Sequence, residues 1–194
     1  MKKLIIQTKN LVEKAHSQHL IYKKCITKES ICAEIGVYEG DNAWRIFKYK
    51  PKYLYLIDRW SQHSPHPKTG DQIFATAKKR FKNYNNVTFI RKRSNYAVED
   101  FQNNFFDFLY LDAGHEYPYI KKDLDIWFPK VKIGGYFAGD DYWIKPKREY
   151  GVIEAVDEFI YHHFDKVKIM FFDEEQHFPL PGCGQWCLQK LDNI

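Results

Sequence analysis

Four residues in the second half of the chain could do metal and proton chemistry together. Asp112 closes an apolar run, Phe106-Asp-Phe-Leu-Tyr-Leu-Asp112, and His115 follows three residues later. Asp140 and Asp141 close a second run that opens on Gly134-Gly135. If the two runs are neighbouring parallel strands, Asp112, Asp140 and Asp141 converge at the carboxyl end of one sheet. Three carboxylates in one cleft repel, and one of them would have to take up a proton. A bound divalent cation removes that conflict. Mg²⁺ prefers six oxygens and keeps part of its shell for water or substrate, so three Asp leave room for a substrate hydroxyl. The plainer alternative has Asp140 and Asp141 capping the next helix and His115 bonded within its turn.

A second set of residues lies earlier. Glu34-Ile-Gly-Val-Tyr-Glu-Gly40 follows the apolar run Ser30-Ile-Cys-Ala33 and precedes a helical pattern, Asp41-Asn-Ala-Trp-Arg-Ile-Phe47. The order is strand, glycine turn, helix. Gly36 and Gly40 place no side chain between backbone and ligand, and the helix start offers unpaired N–H groups. The spacing E-x-G-x-x-x-G is neither the dinucleotide fingerprint nor a P-loop. No Lys-Ser or Lys-Thr follows to hold a phosphate, and an acidic strand end suits a ligand carrying positive charge. Asp58 ends the run Tyr53-Leu-Tyr-Leu-Ile-Asp58. It lies about 20 residues past the turn, where a doubly wound sheet sets the carboxylate that bonds a ribose. Dinucleotide enzymes share that carboxylate, so the glycine turn, not Asp58, separates the two readings.

These residues need a sheet to hold them. Apolar runs alternate with amphipathic ones from residue 30 onward, which predicts an α/β sheet of mostly parallel strands. Strands are expected near 31–36, 53–58, 86–91, 106–112, 133–139, 166–172 and 185–190. Helices are expected near 41–49, 71–83, 95–102, 117–128 and 150–163, after an N-terminal helix around Leu11 to Tyr22. Gly134-Gly135 is read as the turn into the fifth strand. The last helix takes its apolar face from Val152, Ala155, Val156, Phe159 and Ile160. Two irregular stretches, 61–70 and 173–184, are expected to border the site. The whole chain, 1–194, reads as one domain with residues 1–29 as a helical extension.

Composition narrows the class. With 44% apolar, 28% charged and 18% aromatic residues in 194, the chain is globular and long enough for a substantial core. No apolar run could span a bilayer, and the start is too short and polar for a signal peptide. The expectation is a cytoplasmic protein without a membrane partner. The formal charge of +5 includes small clusters at Lys78-Lys-Arg80 and Arg91-Lys-Arg93. Such clusters can meet nucleic acid, but solvated helix faces explain them more simply, so nucleic acid is not an expected partner. The four Cys lack the paired spacings of a zinc site. His63 and His66 have no evident third ligand.

The glycine turn resembles motif I of the class I S-adenosylmethionine-dependent methyltransferases. The later motifs are more specific. Asp112-Ala-Gly-His115, Asp123-Leu124, Gly134-Gly135 and Gly139-Asp140-Asp141 resemble a small family of these enzymes that carries Asp-Gly-x-His and Gly-Asp-Asp motifs. Gly151-Val-Ile-Glu-Ala-Val-Asp-Glu-Phe159 and Gln185-Trp-Cys-Leu-Gln-Lys190 extend the resemblance over about Ile31 to Lys190. The departure is Ala113-Gly114, where Gly and a polar residue are usual. The resemblance implies a Rossmann-like seven-stranded sheet, mostly parallel, with an antiparallel last strand and helices on both faces. It implies S-adenosylmethionine held by Glu34, Gly36, Val37, Tyr38, Gly40, Asp58, Arg59, Ser94 and Asp112. Similar metal-dependent sugar O-methyltransferases imply Mg²⁺ on Asp112, Asp140 and Asp141, with His115 as catalytic base. A small hydroxylated acceptor such as a sugar or glycoside then follows. The alternatives are a nucleic-acid or protein methyltransferase, a nicotinamide oxidoreductase, and a binding domain without catalysis. The run after strand four is not the Asn-Pro-Pro or Asp-Pro-Pro type of amino-directed nucleic-acid enzymes, which weighs against the first. Oligomeric state is left open, a homo-oligomer included.

Overall fold

The computed structural model describes residues 18–61, 67–142, 151–172 and 184–194. Seven strands form one sheet: β1 (Ile31–Ile35), β2 (Tyr53–Asp58), β3 (Val87–Arg91), β4 (Phe106–Leu111), β5 (Val131–Gly139), β6 (Val167–Phe172) and β7 (Trp186–Lys190). Their spatial order is β3-β2-β1-β4-β5-β7-β6. β1 to β5 run parallel, and β7 lies antiparallel between β5 and β6. The expected Rossmann-like arrangement is therefore present. The order reverses direction between β1 and β4, so the carboxyl ends of those strands flank the crevice where such sheets take ligands.

The helices are α1 (Gln18–Cys25), α2 (Asp41–Phe47), α3 (Gly70–Arg80), α4 (Ser94–Ala97), α5 (Tyr117–Trp127) and α6 (Val152–His162). Short 3₁₀ turns extend α4 and α5 at Val98–Asp100 and Phe128–Lys130. Side chains alternate across the strands. Ala33 and Ile35 pack into one core layer with Ile120, Leu124 and Val156 from α5 and α6. Cys32, Leu54 and Leu56 pack into the opposite layer with Ile21, Ile46 and Ile73 from α1, α2 and α3. Both faces are covered, so the strands read as continuous apolar runs rather than alternating ones.

The fifth strand departs from the sequence reading. Val131 pairs with Phe106 and Tyr136 with Phe108. Five steps along β5 thus match two along β4, and 5 − 2 leaves three residues extra. Gly134, at φ +84°, sits in that bulge. The glycine pair does not lead into the strand; it lies within it and lets β5 loop out before it aligns beside the site. The helix expected over 11–22 falls partly outside the described residues, which show helix over Gln18–Cys25. His63, His66, Cys183, residues 62–66 of the 61–70 stretch and residues 173–183 of the 173–184 stretch also lie outside them. Among the described residues, no helix is long and apolar enough to cross a membrane.

Candidate active site

Three side chains meet at the carboxyl ends of β4 and β5. One ligand atom from each of Asp112, His115 and Asp141 lies within 4.8 Å of the others. His115 Nε2 is 2.8 Å from Asp141 Oδ2 and 3.4 Å from Asp112 Oδ1. The backbone builds this meeting point. Asp112 N–H donates to the Ile35 carbonyl at 2.8 Å, which continues the β1–β4 pairing past the strand end. Asp141 takes φ +61°, a left-handed turn that Asp adopts more readily than most residues. Tyr142 N–H then bonds the Gly184 carbonyl at 2.8 Å, and its hydroxyl donates to Asp157 of α6 at 2.6 Å. His115 is tied from the other side, where Gly151 N–H donates to its carbonyl at 2.9 Å.

The electrostatics follow from this crowding. Burial works to lower the His115 pKa, but bonds and charge from Asp112 and Asp141 outweigh it and push it up to about 10. In the metal-free site the ring is therefore an imidazolium between two carboxylates. Asp140 stands apart from the trio. Its Oδ1 accepts the Asp141 N–H at 3.0 Å. Burial, then the charge of Asp112, push its carboxyl up to about 8. So the structure brings Asp112, Asp141 and His115 together as one donor set, and Asp140 is not a member of it. Two carboxylates on one point fit a divalent cation, which would replace the imidazolium as their counter-charge.

The glycine turn is built by its neighbours. A Cβ on Gly36 would lie 1.8 Å from the Asp112 carbonyl oxygen, and Gly36 has φ +87°. The sequence reading left that space for a ligand; the structure fills it with the backbone at the end of β4. Asp58 has an architectural task. Its Oδ2 accepts the N–H groups of Val37 and Tyr38 at 2.9 and 2.8 Å, and its Oδ1 accepts that of Trp60 at 2.8 Å. Val37 is buried, Tyr38 is partly exposed at φ +52°, Arg59 is exposed, and Gly40 is the N-cap of α2. Ser94 faces α5. Its hydroxyl donates to Asp123 at 2.5 Å and accepts from the Trp127 indole at 2.7 Å. Burial pushes the Asp123 carboxyl up to about 6, with the Ser94 bond opposing.

Glu34 is the penultimate residue of β1 and is fully buried. Its Oε1 accepts from Asn42 Nδ2 at 2.8 Å, and its Oε2 has no hydrogen-bond partner among the described residues. Burial holds its carboxyl well above the ordinary range; the Asn42 bond opposes this, and the charges of Asp112 and Asp58 add to it. An orphaned buried carboxyl oxygen beside a glycine turn fits a ligand that brings a cationic group. Asn42 escaped the sequence reading. Its position in the first turn of a helix that starts at the glycine turn was the available signal.

A seven-stranded sheet of this order, with a glycine turn after β1 and acidic ends on β2, β4 and β5, defines a class I S-adenosylmethionine-dependent methyltransferase. Residues 33–142 match the family model described as a methyltransferase domain, more than half of the chain, and the chain belongs to that family. No curated protein sequence matches it. Among solved structures it is similar to an rRNA methylase from Streptococcus thermophilus, with TM-score 0.64, 17% identity, and coverage of 91% of this chain and 96% of that one. It is also similar to the N-methyltransferase NodS from Bradyrhizobium japonicum WM9 in complex with S-adenosyl-L-homocysteine, with TM-score 0.63, 12% identity, and coverage of 91% and 86%. A candidate O-methyltransferase from Klebsiella pneumoniae gives TM-score 0.64, 14% identity, and coverage of 94% and 82%. At such identities the likeness is one of fold.

Proposed function

We propose that the protein is a metal-dependent O-methyltransferase acting on a small hydroxylated acceptor, such as a sugar or glycoside. The observation that carries this reading is the convergence of Asp112, His115 and Asp141 on one point. Asp112 and Asp141 would hold a divalent cation. Mg²⁺ suits their oxygens, and His115 would stay outside its shell. Asp140, next to Asp141, would add its charge when ionised. Glu34, Asp58 and the glycine turn would hold S-adenosylmethionine, which supplies a sulfonium methyl to an acceptor oxygen when bound.

His115 handles the proton. Without a cation it is protonated at neutral pH and can accept nothing. A cation held by Asp112 and Asp141 would supply their counter-charge in place of the imidazolium, and His115 Nε2 would then be able to accept the proton of an acceptor hydroxyl and pass it to solvent. The basic clusters lend little to a nucleic-acid reading. Arg80 is paired with Asp41, Arg91 with Asp71 and Lys92 with Asp100.

A screen of sugars, glycosides and catechols with methyl-labelled cofactor tests the reading. The expected result is label transfer to a hydroxyl, lost in chelator and restored by Mg²⁺ or Mn²⁺. Equal transfer in excess chelator would overturn the metal assignment. Transfer to an amine or to RNA would overturn the acceptor class.

A further inference from the structure

Glu34 is held by a relay of polar groups drawn from across the fold, buried except for the half-buried Asn42. Asn42, in the first turn of α2, donates from Nδ2 to Glu34 Oε1 at 2.8 Å. The Tyr22 hydroxyl, from α1, donates to Asn42 Oδ1 at 2.5 Å. Gln185, just before β7, donates to the Tyr110 hydroxyl at 2.5 Å and to the Tyr22 hydroxyl at 3.4 Å. Tyr22, Tyr110 and Gln185 are all buried. The direction of these bonds matters. An amide has one acceptor oxygen and one donor nitrogen. With Oδ1 committed to Tyr22, Asn42 can turn only its N–H toward Glu34. That fills Oε1 and leaves Oε2 of a fully buried carboxyl without a hydrogen-bond partner among the described residues.

We propose that Asn42 and Tyr22 are positioning residues that aim the free oxygen of Glu34 at the ammonium group of S-adenosylmethionine. The proposal rests on the cofactor reading given above. A donor–acceptor set with each oxygen and nitrogen already matched keeps one geometry, so the carboxyl stays turned as it is. Tyr22 acts only through Asn42, so its effect must be smaller and must vanish when Asn42 is gone.

Titration calorimetry with S-adenosylhomocysteine and with 5′-methylthioadenosine separates the possibilities. The second ligand shares the nucleoside and thioether but lacks the ammonium and carboxylate. In Asn42→Leu, affinity for S-adenosylhomocysteine is expected to fall about tenfold, the loss of one well-placed polar interaction. Affinity for methylthioadenosine is expected to hold within about twofold. Tyr22→Phe keeps its ring in the core and loses only the hydroxyl, so it reports even if Asn42→Leu folds poorly. It is expected to cost about threefold on the first ligand alone, and to add nothing in the double variant. Unchanged affinity for S-adenosylhomocysteine in both variants overturns the proposal. An equal fall for both ligands also overturns it, because that marks a role in holding the turn. A parent protein that binds neither ligand overturns the cofactor reading, and this proposal with it.

Discussion

Gly36 and Asp112 meet where a side chain on the first would strike the backbone of the second. A Cβ added to Gly36 would stand 1.8 Å from the Asp112 carbonyl oxygen. The turn that would hold the cofactor and the strand end that would hold the metal are therefore packed against each other without a spacer. Gly36→Ala is expected to destabilise the protein by about 2–4 kcal/mol, through backbone collision and an unfavourable φ. Chemical denaturation measures this directly. An alanine variant as stable as the parent, with cofactor binding alone abolished, would return the glycine to a ligand-clearance role.

Asp58 is expected to act in two ways at once. Asp58→Ala strips the acceptor from three backbone N–H groups, and should cost about 1–3 kcal/mol of stability besides weakening S-adenosylhomocysteine. Asp58→Asn keeps one acceptor oxygen and should lose less. Calorimetry and thermal melts on the same samples separate the two effects.

Asp140 gives a pH signature in metal-free buffer. Its carboxyl is raised from 3.8 to about 8 in the native protein. The unfolded chain releases that proton first, so stability falls as pH rises from about 4 to about 8. Asp140→Asn keeps the acceptor for the Asp141 N–H and removes the ionisation. Its melting temperature relative to the parent should improve between pH 5 and pH 8 in chelator. A constant difference would mean Asp140 is ionised throughout.

The His115 pair has its own window. The pKa is raised from 6.5 to about 10, so its stabilisation is fully present below pH 6.5 and is lost as pH rises through about 10. His115→Gln should flatten that decline in chelator. Divalent cation should flatten it as well, since the carboxylates then have another partner.

Catalysis is the decisive readout for the same residue. With an acceptor in hand, His115→Ala is expected to lower turnover by about 10²–10⁴-fold, while cofactor affinity changes little. Mg²⁺ is expected to raise the melting temperature of the parent, and Asp141→Asn should remove that rise. Near-parent turnover in His115→Ala would assign the proton to another group.

Much of the fold was legible because parallel strands leave strong apolar runs. Tyr53–Asp58 was placed to the residue, and β1, β3, β4, β6 and β7 to within one residue at either end. β5 was misread at its start because a glycine pair signals a turn equally well before a strand or in a bulge. Asp112, His115 and Asp141 could be singled out from strand ends and spacing. Their division from Asp140 could not, since it depends on the left-handed turn at Asp141. The partner of Gly36 was invisible for a different reason: Asp112 is remote in sequence, and one chain carries no record of which backbones touch. The same holds for Ser94, whose bonds to Asp123 and Trp127 join two separate helices.

The placement of β7 has a consequence for synthesis. Strand β5, which carries the acidic pair, borders β4 on one side and β7 on the other. β7 is the final strand to leave the ribosome among those described, yet its seat is interior. Until it arrives, β5 shows a bare hydrogen-bonding edge and β6 has nowhere to pair. The nascent chain can assemble β1 to β4 early, but the half that would carry the metal is completed only when β7 arrives. Cofactor binding before that point would steady an unfinished sheet, and a chain stalled short of Trp186 would expose an edge open to aggregation.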